Sequence, residues 1–467
     1  MRATLALLIL LANFGFADAP PPPLPIGLEP EWPAMPKIDT NEPSLPLGLG
    51  SIGEEPKPIA SSTNSNKQSK QNTRLTGFLE ARYGVRLQSD PFAKQESLNE
   101  IRLQTRLAGT QGPLNYRLTQ DWIFDALAPT SSINLNTGEG WLDLREAWIS
   151  GQPTSFLDIK AGRQITTWGT GDLLFISDLF PKDWRALILG RDEKYLKAPS
   201  DAIKASLYHR WINLDIVHTP EFDADRFITG QRLSYFDPSL ESLTGDPNLI
   251  RADYPHDSEW AARANRVYGN AEVALYYYRG YWKQPAGYDL DSGQPIFSRL
   301  ETISASWRQP LAGGLFNIEI GRYDSLDDPN GNLSNIPNSE NRFLIGFERE
   351  LAKNLNGSVQ YYVEQTSDYH ASLVATPQNA PIADRRRHVF TTRITQQLRM
   401  QTLQLSLFAF YSPSDEDGYL RPNIRYAIDD QWSASLGSNI FFGKTSRTFF
   451  GQLENNTNAY LSLRRSY

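Results

Sequence analysis

"LTGFLEARYGVRL", residues 75–87, decides how the rest of the chain is read. In an extended chain, successive side chains point to opposite sides. One side here receives Leu75, Gly77, Leu79, Ala81, Tyr83, Val85 and Leu87; the other receives Thr76, Phe78, Glu80, Arg82, Gly84 and Arg86. An apolar face therefore backs a face with two arginines and a glutamate. "IRLQTRLAG" (101–109) repeats the arrangement, with Ile101, Leu103 and Leu107 opposite Arg102, Gln104 and Arg106.

Working outward, the same alternation predicts eighteen strands, near 75–87, 97–109, 112–125, 140–150, 155–168, 197–208, 211–219, 258–268, 271–282, 297–309, 314–324, 341–351, 355–365, 387–398, 402–412, 419–429, 432–442 and 456–467. Their connections sort by parity. Every second one is short, such as "TQ" at 110–111, "HR" at 209–210, "GN" at 269–270 and "DQ" at 430–431. Those between are mostly long: 126–139, 169–196, 220–257, 283–296, 325–340 and 366–386. Tight turns at one end and long loops at the other mark an outer-membrane barrel. The expected fold is all-β, a transmembrane antiparallel β-barrel over 75–467, in the outer membrane of a Gram-negative bacterium. An even strand number puts both barrel ends on the periplasmic side.

Closure explains the chain's last residues, "NAYLSLRRSY" (458–467). The last strand must pair with the first, because lipid does not tolerate an open edge. Tyr467 shares the apolar register of Ala459, Leu461 and Leu463, and a terminal aromatic there is the expected signal to the barrel-assembly machinery. Trp211, Trp307 and Trp432 fall near periplasmic ends and Trp122, Trp260 and Trp282 near external ends, as two aromatic girdles would. Glu146 and Arg163 break the scheme by sharing parity with apolar neighbours. A phase-flipping bulge is expected for Arg163, with Gly162 as its site; Glu146 has no firm explanation.

Composition narrows the rest. The 467 residues contain no cysteine, which removes disulfides, a lipoprotein anchor and thiolate metal sites. A formal net charge of −7 argues against nucleic acid as a partner. Residues 1–17 read as a secretory signal peptide: Arg2, an apolar run from Leu5 to Phe16, then small residues. Residues 18–74 read as a disordered, Pro-rich periplasmic segment. Its echo, "PPLPIGL" (22–28) and "PSLPLGL" (43–49), is either a docking site for a periplasmic partner or part of a stiff linker.

The segment "AGRQITTWGTGD" (161–172) resembles the G-R-Q…W-G stretch of porin-like barrels of the alginate-export and related outer-membrane families, and the tail 418–467 is similar to their closing strands. The resemblance implies passage of a polar solute across the outer membrane, with neither solute nor direction specified.

The five histidines form no catalytic pattern, and no enzyme activity, cofactor or metal is expected. "DDPNGNLSN" (327–335) has calcium-loop composition, but with Gly331 in sixth place the first ligand falls on Leu326. The loop 220–257 carries eight acidic against three basic residues, a solvated loop or a divalent-ion bridge to lipopolysaccharide.

The informative residues face the lumen. Parity puts Arg82, Arg86, Arg102, Arg106, Arg117, Arg393, Arg421, Arg425 and Arg464 on strands that meet at closure, and Glu319, Glu348 and Glu364 on the far wall. Either the lumen is charge-separated and favours anions, or pairs such as Glu80 with Arg102 and Glu100 with Arg82 cancel the field. The loop 169–196 is too apolar to stand free in water. Folded inward it would set Asp178, Lys182, Asp183 and Arg185 across the pore; otherwise it is a lid or a partner-binding patch. The expected function is a channel for polar, anionic solutes. The alternatives are an export conduit for an anionic polysaccharide and a structural sheath around a partner protein.

Overall fold

The alternation of residues 75–87 becomes a strand, β1 (Arg74–Arg86), and its pattern propagates through β2 (Glu96–Gln111), β3 (Leu114–Asp125), β4 (Leu142–Thr154), β5 (Leu157–Gln164), β6 (Ser200–Tyr208), β7 (Asn213–Thr219), β8 (Glu259–Tyr268) and β9 (Ala271–Tyr281). The second half continues with β10 (Arg299–Leu311), β11 (Gly314–Ser325), β12 (Glu340–Ala352), β13 (Leu355–Thr366), β14 (Arg386–Leu398), β15 (Leu403–Ser412), β16 (Asp417–Ala427), β17 (Trp432–Gly443) and β18 (Asn458–Ser466). The computed structural model describes residues 73–127, 132–237, 240–246, 252, 254–376 and 384–467. The expected signal peptide, and the Pro-rich segment apart from its last two residues, lie outside the described residues.

Each strand pairs antiparallel with its sequence neighbour, and β18 pairs with β1 from Phe78↔Ser466 to Arg86↔Asn458, so the eighteen strands close into a ring. The seam ends in a reciprocal pair: the Gly77 amide donates to the Tyr467 carbonyl at 3.1 Å and the Tyr467 amide to the Gly77 carbonyl at 3.0 Å. The Tyr467 hydroxyl donates to the Gln104 carbonyl one strand further on, at 3.0 Å. Gly77 is required for this approach, since a Cβ there would lie 2.6 Å from the Tyr467 hydroxyl oxygen and 2.0 Å from the Gln104 carbonyl oxygen.

Burial shows which face is which. Along β1, Phe78, Glu80, Arg82 and Arg86 are buried while Leu75, Leu79 and Tyr83 are exposed. Ile101, Ile149, Ile303, Ile320, Val359, Leu436 and Leu461 are exposed on the same outer side, Ile303 by 60%. A water-soluble surface does not present such a belt, and a barrel in lipid must. Trp122, Trp211 and Trp260 are exposed with it, and Trp122 stacks on Trp141. Trp282 departs from the expected girdle: it turns inward and packs on the fully buried Tyr323 with ring centroids 5.7 Å apart.

The two irregular positions have different explanations. The β3–β4 register slips between Thr119 and Gln120, so Arg145 is extra and both Arg145 and Glu146 turn inward. Glu146 then accepts from the Thr119 hydroxyl at 2.9 Å and the Trp148 indole at 3.2 Å. Around Gly162 the register does not slip, which corrects the bulge expected there. Arg163 keeps its outward register but is 4% exposed, because it donates to the Leu144 carbonyl at 2.7 Å, pairs with Asp201 at 2.7 Å and is capped by the Leu135 carbonyl.

Candidate functional site

The barrel interior is occupied by the connection between β5 and β6. Its apolar residues needed cover, and they obtain it from the inward face of the wall: Trp168, Leu174, Ile176, Phe180, Ile188 and Leu189 form one core with Leu98, Tyr276, Tyr323, Leu344, Phe408, Tyr419 and Tyr460. The path of this segment follows from its polar contacts. On one side the Ser177 hydroxyl meets the Ser304 hydroxyl of β10 at 3.0 Å, and Tyr323 of β11 donates to the Ile176 carbonyl at 2.6 Å. On the other, Asn439 of β17 and Asn458 of β18 donate to the Ile188 carbonyl at 2.9 and 3.2 Å, and Arg82 of β1 donates to the Gly190 carbonyl. β1 and β10 stand nine strands apart in a ring of eighteen, so the segment crosses the lumen.

Two features shape the crossing. Glu319 reaches in from β11 and accepts from the amides of Thr170, Gly171 and Ser177, the last two at 3.2 Å. Helix α1 (Trp184–Leu189) starts on Asp183, whose carboxylate accepts from the Ala186 amide at 2.9 Å, and stops on Gly190 at φ +89°. A Cβ on Gly190 would lie 2.3 Å from the Tyr460 ring.

This geometry distributes the residues expected in the loop. Asp178 is buried with Lys182 at 3.0 Å and Lys197 at 2.5 Å. The two ammoniums hold the Asp178 carboxyl down at about 2 against its burial, and burial pushes Lys182 down to about 8. Asp183 caps α1 and pairs with Arg226 at 3.3 Å. Arg185 pairs with Glu139 in the external loops. Of these four only Arg185 lines open space. The loop groups that reach the charged residues of the wall are instead Asp172, Arg191, Asp192 and Glu193, none of which periodicity singled out.

The inward register holds all twelve wall residues named from the sequence, with different partners. Glu80 and Glu100 do not pair across β1 and β2 as expected. Glu80 binds Arg82 and Arg464, both at 2.9 Å, and Glu100 binds Arg102 at 2.8 Å and Arg191 at 2.7 Å. Arg102 also binds Asp121 at 2.6 Å. Arg117 pairs with Glu146 at 3.4 Å, and Arg86 is spent on Asn456 and on loop carbonyls. Arg393 takes Asp172 at 2.6 Å and Glu193 at 2.8 Å. Glu348 is buried on β12, and Glu364 accepts from the Tyr362 hydroxyl at 2.8 Å. Arg106 is exposed near the periplasmic end of β2.

Below the crossing, in the half that carries the short turns, lies a cavity of about 180 Å³. Six arginines line it (Arg82, Arg191, Arg393, Arg421, Arg425 and Arg464) against three carboxylates (Glu80, Asp192 and Glu193). Adding Glu100 and Asp172, which contact Arg191 and Arg393, leaves six against five. Among the described residues, Arg421 and Arg425 form no direct ion pair with a carboxylate, though Glu193 lies near enough to act on Arg421; Arg421 donates to the Arg191 carbonyl at 2.7 Å. Above the crossing is a cavity of about 300 Å³ among the external loops, whose charged lining is Glu139, Asp223 and Asp225 against Arg185 and Arg226. The arrangement offers a basic inner chamber, a weakly acidic mouth and a packed septum between them. The described residues include no cluster of metal-ligating side chains.

No protein-family model matches the chain, and no curated protein matches it. Among solved structures, OccAB3 of Acinetobacter baumannii superposes with a TM-score of 0.51 at 10% identity, covering 85% of this chain and 99% of that one. OccK11 (OpdR) of Pseudomonas aeruginosa gives 0.49 at 10% identity over 84% and 95%, and Salmonella typhi OmpF in complex with daunomycin gives 0.42 at 8% identity over 85% and 98%. At these identities the likeness is one of fold, and only the first superposition is close enough to argue from. The closed eighteen-strand barrel with its apolar outer belt has the fold of an outer-membrane β-barrel, the fold it shares with OccAB3.

Proposed function

We propose that the protein is an outer-membrane channel for polar, anionic solutes. The observation that carries this reading is the inner cavity, where arginines outnumber carboxylates and Arg421 and Arg425 form no direct ion pair with a carboxylate among the described residues. A net excess of one sign on the low-dielectric wall of a cleft raises the local concentration of the opposite ion. The purified protein in a planar bilayer should give discrete single-channel steps; a correctly folded barrel without any conductance would contradict the channel reading.

One observation favours a second reading, an export conduit for an anionic polysaccharide of the kind the alginate-export resemblance implies. The basic chamber lies toward the periplasm and the external mouth is weakly acidic, the order in which an outgoing polyanion would meet them. Current block by an anionic oligosaccharide added from the periplasmic side alone supports this reading; block from the external side alone supports uptake. The sheath reading is weakened by the loop that already fills the lumen.

A further inference from the structure

A third cavity borders both the one above the septum and the one below it. This one, of about 60 Å³, shares Glu139, Arg185, Thr229 and Gln231 with the outer cavity, and it shares Arg191 with the inner one. The middle cavity lies against Ile123 and Asp125 of β3, the inner one against β1 and β14 to β18, and Arg191 stands between these two. A fourth space, of about 40 Å³ on the β11–β14 side, shares Arg393 with the inner chamber and no lining residue with the outer one.

The segment around Arg191 is held from three strands: the Gly190 carbonyl by Arg82, the Arg191 carbonyl by Arg421 at 2.7 Å, and the Asp192 carboxylate by Arg464 at 2.9 Å. Its guanidinium is held differently, by one carboxylate, Glu100, at 3.0 and 2.7 Å. Glu100 also receives Arg102 at 3.0 and 2.8 Å. When Arg191 leaves, Glu100 keeps a charged partner, so the movement does not strand a buried charge, the outcome that makes breaking a buried pair expensive. Arg191 is thus a movable cation on a fixed backbone, between two spaces.

Resting on the channel reading above, we propose that solute passes at Arg191 between the middle cavity beside β3 and the inner chamber walled by β1 and β14 to β18, and that Arg191 is its selectivity-determining residue. The carboxylate or phosphate of an anion replaces Glu100 on the guanidinium as it crosses the partition. A cation meets the same guanidinium with no group to exchange.

The absence of cysteine makes the test direct, because Arg191→Cys would carry the only thiol. Folding is checked by heat-modifiable migration, and reversal potentials are read in 0.1 M salt. Arg191→Cys should lose anion preference, a cationic methanethiosulfonate reagent should restore it, and an anionic one should shift it further toward cations. Arg191→Lys, which keeps the charge, should retain the preference. Thr395→Cys, in the fourth space, should respond to neither reagent. A wild-type selectivity carried over unchanged in Arg191→Cys, or a response at Thr395 and none at 191, would overturn the proposal while leaving the channel standing. A folded wild-type barrel without conductance would defeat the channel reading, and the route with it.

Discussion

Glu319 and two lysines show how much of this lumen depends on single groups. Glu319 satisfies three loop amides from one buried carboxylate, and removing a buried partner costs about 1–3 kcal/mol for each group left unmet. Glu319→Ala should therefore release the start of the crossing without unfolding the wall. The expected outcome is a single-channel current with open-level noise or extra substates; a quiet, unaltered step would show that Glu319 does not hold the loop. Lys182 and Lys194 are pushed down to about 8 by burial. Their folded values lie below the unfolded one of about 10.4, so between about pH 8 and 10.4 the unfolded chain binds more protons and stability rises with pH. Over the same rise the lumen loses two positive charges. Anion preference in 0.1 M salt should fall between pH 7 and 9.5 with a midpoint near 8; a pH-independent reversal potential would contradict the placement of these two ammoniums.

At the scale of elements, the seam and the crossing carry separate predictions. Deleting Tyr467 removes two backbone hydrogen bonds and a hydroxyl bond where β18 meets β1. Unmet backbone groups at a barrel edge have no water to turn to in lipid. The truncated chain should be synthesised and secreted yet give little heat-modifiable barrel; wild-type amounts of folded protein would refute the role of the terminal residue. Excising residues 173–180 takes Leu174, Ile176 and Phe180 out of the interior core, and single-channel conductance should rise. Unchanged conductance would mean that this part of the crossing does not obstruct the route. All eighteen strands were legible because lipid enforces a period of two, and Ile303 or Leu436 facing outward admits no other register. The bulge beside Glu146 was not legible, since one inserted residue reverses the parity that the reading relies on. Arg163 was not legible because its partners, the Leu135 and Leu144 carbonyls, are backbone atoms brought there by folding. The inward aromatic ring, with Tyr323, Tyr362 and Tyr419, carries no signal in the period of two; only the apolar content of residues 173–180 hints that something packs against it.

For the whole molecule, charge separation in the lumen is the central proposal. Parity put nine arginines on one wall, but ion pairs account for five of them; Arg86, Arg106, Arg421 and Arg425 form none among the described residues, and of these four Arg421 and Arg425 line the inner cavity, with Arg191 poised between chambers. The field that matters is therefore that of a few groups around a cavity of about 180 Å³. Screening decides its reach: the Debye length is about 10 Å at 0.1 M salt and about 3 Å at 1 M. The decisive measurement is the reversal potential of the purified protein in planar bilayers under a salt gradient. The account predicts anion preference near 0.1 M that weakens toward 1 M, and its loss when Arg421 and Arg425 are replaced together by Ser, with the barrel still folded, because neither takes part in a carboxylate ion pair among the described residues and lumen positions tolerate polar exchange. Cation preference in the unmodified protein, unmoved by those substitutions, would contradict it.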